Sequence, residues 1–290
     1  MVVGALDVGG THVTAGLVDV AAGSVDEGSR LRLPLPDAGR PPELLAAITG
    51  AARSVAAPGV VRFGVAVPGP FDYQAGVSRM NHKLRGLRGI DLRSALAEAL
   101  GLDDPGQVGF LNDADAFVLG EWWAGAARGH SRVVGVTLGT GLGAAFIADG
   151  RLLRAGRGVP PGGAMYELTF RGAPVEDTIS RRGLLGLYQD GAAGIDVEQV
   201  AAQASAGEPA ARSAFRELGQ ALGDFLAPWL QAFEPSCLVV GGSIARSWAL
   251  FEAALRGALD RQWHGAVTAA QHLDDAPLLG AARHVVSKPS

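Results

Sequence analysis

The stretch V-V-G-A-L-D-V-G-G-T-H-V-T-A-G-L-V at residues 2–18 decides the fold class that the sequence predicts. Residues 2–7 and 13–18 are short apolar runs, and residues 8–11 between them are rich in glycine. Short apolar runs separated by a glycine turn are typical of a β-hairpin. Walker A and dinucleotide-binding loops instead need their glycines to open a helix. The stretch therefore disfavours nicotinamide chemistry.

The same arrangement recurs in the middle of the chain. Residues 133–138 and 142–147 are apolar runs that flank Gly139, Thr140 and Gly141. We interpret this segment as a second hairpin with a glycine turn. Two copies of one device suggest two related halves.

Strands and helices alternate in the rest of the chain, which predicts an α/β protein. We place the main boundary at Asp113, with one domain at 1–113 and another at 114–277. Pro228 is expected to kink the helix that contains it. The predicted helices are 43–57, 91–100, 114–126 and 208–233, and the further strands are 61–67, 108–111 and 237–240.

Composition limits the classes of partner. The 290 residues carry a formal charge of −4 without a block of basic residues, so binding to nucleic acid or an anionic membrane is not expected. No apolar run reaches the length of a membrane span, and no basic segment precedes the first strand, so we expect a cytoplasmic protein. Cys237 is the only cysteine, which excludes intramolecular disulfides.

The first hairpin has the residues of a phosphate and metal site. Asp7 ends a strand and can hold Mg²⁺, usually through water. The small residues Gly9, Gly10 and Thr11 let backbone N–H groups approach phosphate oxygens. The alternative is a tight turn in which the aspartate bonds its own backbone.

Two further glycine segments are candidates for nucleotide binding. Gly139, Thr140 and Gly141 can form a second phosphate clamp, with the threonine hydroxyl and neighbouring amides as donors. Gly241 and Gly242 follow an apolar strand and suit close packing of an adenosine group. Glycine turns are common in proteins without any ligand, so it is the repetition of the hairpin that favours a nucleotide site.

Asn112 and Asp113 lie where a predicted strand ends and a helix begins. A carboxylate at such an edge can accept the proton of an attacking alcohol in phosphoryl transfer. Helix capping is the alternative, since both residue types are good N-caps. The residues alone leave both interpretations open.

Taken together and in order, the motifs resemble those of the ROK family, which contains sugar kinases and sugar-responsive repressors. The resemblance covers nearly the whole chain. The matching pieces are D-V-G-G-T at 7–11, G-V-A-V-P-G-P at 64–70, Asn81, L-N-D-A-D-A at 111–116, L-G-T-G-L-G at 138–143, E-P-S-C-L-V-V-G-G at 234–242 and L-L-G-A-A at 278–282.

This resemblance implies an actin-like ATPase fold, with two ribonuclease H-like domains and a nucleotide and sugar cleft between them. It implies ATP and Mg²⁺ as cofactors, Asp113 as catalytic base, and Asn81 and Asn112 as ligands of sugar hydroxyls. The last helix, near 278–290, would return to the N-terminal domain. Homodimerisation is also expected from the resemblance.

One region departs from the family pattern. The family usually carries G-E-x-G-H followed by C-x-C-G-x-x-G-C-x-E, in which a histidine and three cysteines bind structural zinc. Here Gly163 stands where the glutamate is expected and Tyr166 where the histidine is expected, and the cysteines are absent. We therefore expect no zinc site. Glu176 matches the end of the motif and Glu167 can substitute for the lost carboxylate, so both are candidates for sugar binding.

Three functions remain open from the sequence. The first is a kinase that transfers the γ-phosphoryl group of MgATP to a hydroxyl of a hexose or related sugar. The second is a non-catalytic sugar sensor. Repressor members place a helix-turn-helix before the first hairpin, which here begins at Val2, and this favours the kinase. The third is a kinase for an atypical acceptor, which the altered sugar-binding segment permits.

Overall fold

The computed structural model describes residues 1–36, 39–81, 84–188 and 194–287. Both predicted hairpins are confirmed, since each pairs its two strands in antiparallel register across the glycine turn. The strands are β1 (Val2–Val8), β2 (His12–Asp19), β3 (Ser24–Val25), β4 (Leu31–Pro34), β5 (Phe63–Val67), β6 (Phe71–Asp72), β7 (Val77–Ser78), β8 (Val108–Asn112), β9 (Arg132–Leu138), β10 (Leu142–Ala148), β11 (Arg151–Leu153), β12 (Thr169–Phe170), β13 (Ala173–Pro174), β14 (Cys237–Gly241) and β15 (Ala266–Ala269).

Helices alternate with the parallel strands, as an α/β fold requires. Asp91 is the N-cap of the second helix and accepts a hydrogen bond from the backbone N–H of Ser94. The longest helix contains Pro228 and runs as one element on both sides of it. The helices are α1 (Pro41–Ser54), α2 (Leu92–Leu100), α3 (Asp113–Ala124), α4 (Arg181–Leu187), α5 (Val197–Ala206), α6 (Pro209–Phe233), α7 (Glu252–Leu259) and α8 (Ala276–Ser287).

The chain divides into two compact units. Unit 1 comprises residues 1–128 and 274–290, of which the last three residues lie outside the described part, and unit 2 comprises residues 129–273. The division differs from the boundary predicted at Asp113, because α3 belongs to unit 1.

The packing of α3 against α8 explains this difference. A Cβ atom added to Gly120 on α3 would lie 2.1 Å from the carbonyl oxygen of Ala276, and one added to Gly280 on α8 would lie 1.8 Å from that of Ala116. The two helix backbones therefore touch at glycines. Residues that follow Asp113 in sequence are thus held in the first unit by the C-terminal helix.

In unit 1 the main sheet has the order β3-β2-β1-β5-β8. Strand β4 also pairs with β2, along a different part of that strand from the part that pairs with β3. Strands β1, β5 and β8 are parallel. Their carboxyl ends, at Val8, Val67 and Asn112, consequently lie at one edge of the sheet. Ligands of open parallel sheets commonly bind outside this edge.

Unit 2 repeats this plan with the order β11-β10-β9-β14-β15. Strands β9, β14 and β15 are parallel, and β10 is antiparallel to β9. The interior is formed by the strands and by the apolar face of α6, where Phe215, Leu222 and Leu230 are fully buried. Within the described residues, no helix has the length and apolar composition needed to cross a membrane.

Candidate functional site

Asp7 lies near the carboxyl end of β1 and is half-buried. In the sheet it pairs with Thr14 on β2, and Thr14 pairs in turn with Arg32 on β4. Residues directly opposite in neighbouring strands project on the same face. Asp7, Thr14 and Arg32 therefore form a row across three strands, and Asp7 and Arg32 carry opposite charges.

The carboxyl group of Asp7 has a strongly perturbed acidity. Its pKa is raised to about 7, mainly by burial and also by the negative charge of Asp113, while the positive charge of Arg32 acts in the opposite direction. The two aspartates are thus close enough to repel each other. A pair of carboxylates whose charges are disfavoured together suits a divalent cation, which removes that repulsion. The side chains present fit Mg²⁺ at this edge.

The turn after Asp7 is held by backbone hydrogen bonds. The N–H of Gly9 donates to the carbonyl oxygen of His12 at 2.8 Å, and the N–H of Leu35 donates to that of Thr11 at 2.7 Å. A Cβ atom at Gly9 would lie 3.3 Å from the His12 oxygen, so the turn leaves little room for a side chain. Gly9 and Gly10 are half-buried, and Thr11 is exposed.

The side chains of Asn112 and Asp113 make different hydrogen bonds at the start of α3. Asn112 is the N-cap of α3: its Oδ1 accepts from the N–H groups of Ala114 at 3.0 Å and Asp115 at 3.4 Å. Its Nδ2 donates to the hydroxyl oxygen of Tyr73 at 3.2 Å. Because an amide carries two donor hydrogens, one remains for a ligand.

Asp113 is the first residue of α3 and is half-buried at the edge where β8 ends. Its Oδ1 accepts from the N–H of Ala114 at 2.9 Å. The N-cap role thus belongs to its neighbour. Sequence reasoning missed Tyr73, which orients Asn112, because no motif marks this loop residue.

Asn81 is exposed and follows the buried Met80. The next two residues of the chain, 82 and 83, lie outside the described residues. Its predicted role in sugar binding stays a prediction.

In unit 2 the turn between β9 and β10 is braced from a second segment of the chain. Gly139 N–H donates to the carbonyl oxygen of Gly141 at 3.0 Å, and its own carbonyl accepts from Arg181 N–H at 2.7 Å. The N–H of Leu142 donates to Oε1 of Glu176 at 2.9 Å. Both sides of the turn are therefore fixed by residues 176–181.

Gly241 and Gly242 lie beside this turn. Gly241 pairs with Thr137 in the parallel register of β14 and β9. Gly242 has φ +84°, and a Cβ atom there would lie 2.3 Å from the carbonyl oxygen of Leu138. Only glycine tolerates both the conformation and the close approach. The sheet thus brings the two glycine segments together, and Ser243, which follows Gly242, lies next to Gly139 with its Oγ 3.4 Å from a Cβ atom built there.

Glu176 contacts the glycine turn directly. A Cβ atom on Gly141 would lie 2.2 Å from its Oε1, and its Oε2 lies 3.7 Å from the guanidinium of Arg182. Its backbone carbonyl accepts from the hydroxyl of the buried Ser180 at 2.5 Å. The carboxylate is therefore held by the turn and by a cation, while Ser180 holds the backbone of the same residue.

Glu167 lies at the end of a short 3-10 helix beside Tyr166. Partial burial raises the pKa of the Tyr166 hydroxyl, and so do a hydrogen bond to Glu167 and the charges of Glu167 and Glu176. Tyr166 is thus in an acidic environment. No group of three or more His, Cys, Asp or Glu side chains within the described ranges could hold a metal ion.

Comparison with solved structures identifies the fold of this protein. A ROK family glucokinase from Streptomyces griseus, solved with glucose and AMPPNP, superposes with a TM-score of 0.81 and 26% identity, covering 99% of this chain and 100% of that one. The fold is the actin-like ATPase fold.

Sequence comparison then identifies the family. The ROK family model matches residues 3–288, and the chain belongs to the ROK family. A glucokinase from Thermotoga maritima is 30% identical over 248 residues, which cover 76% of this chain and 77% of that protein. An N-acetylmannosamine kinase from Salmonella arizonae is 27% identical over 299 residues, which cover 96% of each chain.

Proposed function

We propose that this sugar kinase transfers the γ-phosphoryl group of ATP to a hydroxyl of a hexose or related sugar, with Asp113 as general base. The observation that carries the proposal is the placement of Asp113 beside Asp7 at the carboxyl edge of the parallel strands of unit 1. The names of the two similar proteins given above, a glucokinase and an N-acetylmannosamine kinase, state that they act on sugars. Their shared activity supports a sugar as the acceptor.

Asp113 is the proposed proton acceptor because it is the half-buried carboxylate at the start of α3. Its Oδ1 accepts the N–H of Ala114, and a carboxylate held in this way is proposed to take the proton of the attacking hydroxyl. The hydrogen bond from Ala114 also fixes the orientation of the Asp113 carboxylate. Positioning and electrostatics supply most of the acceleration in phosphoryl transfer.

Asp7 is the residue proposed to hold Mg²⁺, through water. When bound, Mg²⁺ neutralises charge on the phosphate oxygens. Asp7 itself holds a negative charge at the strand end only above its raised pKa of about 7, unless a cation compensates it. Its proximity to Asp113 supports a cation-binding role.

Backbone groups are proposed to bind the nucleotide. In unit 1 these belong to the turn of Gly9, Gly10 and Thr11. In unit 2 the turn of Gly139, Thr140 and Gly141 is proposed to hold phosphate oxygens, and the corner of Gly241 and Gly242 to pack against adenosine. The support is the glycines of these turns, which let backbone N–H groups approach a ligand, and the hydrogen bonds that fix the turns.

The acceptor sugar is proposed to contact Asn81, Asn112, Glu167 and Glu176. Asn112 keeps one amide hydrogen for a sugar oxygen. Glu176 combines this proposed contact with its observed bond to Leu142. The exchange of the usual glutamate and histidine for Gly163 and Tyr166 alters the set of groups that recognise the sugar.

A panel of sugars assayed for ADP release tests the function. We expect sugar-dependent turnover that falls by at least about a hundredfold in Asp113→Asn, because a positioned base contributes about 10²- to 10⁴-fold. Asp103→Asn, an exposed carboxylate of the same unit, serves as the matched control and should keep full activity. Circular dichroism checks that both variants are folded.

Two other functions have specific support from the altered residues Gly163 and Tyr166. If sugars bind but none stimulates turnover, and Asp113→Asn keeps the same sugar affinity, the protein is a sugar sensor. If common hexoses fail but another alcohol supports turnover that needs Asp113, it is a kinase for an atypical acceptor.

A further inference from the structure

His12 lies between Thr11 and Arg32 in a chain of hydrogen bonds. Its Nδ1 is 2.8 Å from Oγ1 of Thr11, and its Nε2 is 2.6 Å from Nη2 of Arg32. A guanidinium has donors only, so Nε2 must accept. A neutral imidazole carries one ring proton, which therefore sits on Nδ1.

This assignment determines the direction of the next hydrogen bond. The Nδ1–H of His12 donates, so Oγ1 of Thr11 accepts. The hydroxyl proton of Thr11 is consequently left for a different acceptor. Burial and the charge of Arg32 lower the pKa of His12, which keeps the ring in the neutral form that this arrangement needs.

The hydrogen bonds of Thr11, His12 and Arg32 connect to the row that includes Asp7, because Arg32 belongs to both. Arg32 is paired across the sheet with Thr14, which is paired with Asp7, and its charge acts on the Asp7 carboxyl. Thr11 is exposed at the tip of the same hairpin. An exposed hydroxyl whose proton is left for another acceptor, at the tip of a glycine turn, suits an anionic oxygen.

We propose that Arg32 and His12 are positioning residues for the nucleotide, which hold the Thr11 hydroxyl so that its proton is donated to a phosphate oxygen. The inference rests on the proposed function, in which the first glycine turn binds phosphate. It adds the direction of the Thr11 hydrogen bond and two residues that no motif marks. Neither residue needs to touch the sugar.

The test is a double-mutant cycle on MgATP affinity, measured by isothermal titration calorimetry. Thr11→Val removes the donor and should weaken binding about tenfold or more, since the acceptor is charged. His12→Leu removes the orienting bond and should weaken binding about three- to tenfold. In the Thr11→Val background, His12→Leu should add less than about twofold, because the two residues act through one hydroxyl.

Two further variants separate positioning from general structural damage. His12→Asn places an amide N–H close to the position of Nδ1–H, and it should restore MgATP affinity to within about twofold of the wild type. Arg32→Leu lets the imidazole change tautomer and should weaken binding, whereas Arg53→Leu, an exposed arginine of α1 that donates to the Ala99 carbonyl, should not. The KM for the sugar should stay unchanged throughout.

The proposal is overturned if His12→Leu has the same effect with and without Thr11, or if His12→Asn is as weak as His12→Leu. A wild-type protein that binds MgATP but phosphorylates no sugar contradicts the proposed function, while the binding cycle still decides the role of His12. Failure of the wild type to bind MgATP would overturn both.

Discussion

In the environment of Asp7, the ionised form of its carboxyl group destabilises the folded protein. Burial and the neighbouring Asp113 both disfavour the ionised carboxylate, and Arg32 compensates only in part. A raised pKa of this kind is typical of functional sites, where a later ligand removes the strain. The proposed cation would be that ligand.

The raised pKa predicts a pH-dependent gain in stability for Asp7→Asn. Between the ordinary pKa of 3.8 and about 7, the folded protein binds more protons than the unfolded chain, so the contribution of Asp7 to stability falls as pH rises through this window. Relative to wild type, Asp7→Asn should gain on the order of 2–4 kcal/mol between pH 4 and pH 8. Urea unfolding in Mg²⁺-free buffer measures the gain.

Asp19→Asn is the control for this measurement. Hydrogen bonds from the backbone N–H groups of Ala21 and Ala22 lower the pKa of Asp19, so its stabilisation is lost only as pH falls through a value below 3.8. Its stability difference from wild type should stay constant between pH 5 and pH 8. An Asp7→Asn difference that is equally flat would contradict the assigned pKa.

Substitutions of Glu176 should affect the KM for ATP and the KM for the sugar differently. Its carboxylate accepts the Leu142 N–H beside Gly141, so Glu176→Ala releases one side of the proposed phosphate turn. We expect the KM for ATP to rise about tenfold, as loss of a hydrogen bond to a charged group suggests. Glu176→Gln keeps an accepting oxygen and should restore much of this loss.

The sugar KM in the same variants tests the second proposed contact of Glu176. A rise in the sugar KM with both Ala and Gln indicates direct contact with the acceptor through the charge. Glu217→Ala, an exposed change on α6, should alter neither constant. An unchanged ATP KM in Glu176→Ala would show that the turn does not depend on this brace.

At the scale of elements, glycines decide how closely α8 approaches its neighbours. A Cβ atom on Gly64 of β5 would lie 2.1 Å from the carbonyl oxygen of Ala281 on α8, and the contacts of Gly120 and Gly280 are as close. Helix α8 therefore touches both the sheet and α3 backbone to backbone. Such contacts leave no flexible side chain that could move to relieve a clash.

Gly280→Ala should consequently destabilise the protein although alanine favours helices. The added Cβ atom meets the Ala116 carbonyl oxygen, and we expect a loss of about 2 kcal/mol or more from overpacking. Gly50→Ala in α1 is the matched control, since no atom lies within 4 Å of its Cβ position. It should gain about 0.5–1 kcal/mol. Chemical unfolding of both variants measures the contrast, and equal effects would refute it.

At the scale of the whole molecule, one plan occurs twice: an antiparallel hairpin with a glycine turn, followed by parallel strands. In each unit the turn lies at the carboxyl ends of those strands. The repetition gives each unit one glycine turn at this edge, and these are the two turns proposed to bind phosphate. A dimer of this chain is expected from its family resemblance, and light scattering would measure it.

The lone cysteine predicts that stability is independent of zinc. Cys237 is buried in β14, so a zinc-selective chelator should leave the melting temperature unchanged. Chelation of Mg²⁺ by excess EDTA should abolish turnover, and added Mg²⁺ should restore it. A lower melting temperature after zinc removal would reveal a metal site that the residues do not suggest.

Local sequence determined the hairpins, the α/β class and the glycine turns by itself. Glycines between apolar runs restrict the backbone wherever they occur, so Gly9 and Gly139 could be identified without long-range contacts. Helix α2 was predicted closely because Asp91 caps it locally. Residue types also sufficed to nominate Asp7 and Asp113, though not to tell catalysis from capping.

Tertiary structure alone decided which of these residues meet. The bonds of Arg32 to His12 and of Glu176 to Leu142 join segments 20 and 34 residues apart. The placement of α3 in unit 1 depends on Gly280, far along the chain. Periodicity records which face of an element is buried but not which element covers it. Pairing between distant strands and helices therefore determined the neighbours of each candidate residue, and with them the pKa of Asp7 and the direction of the Thr11 hydrogen bond.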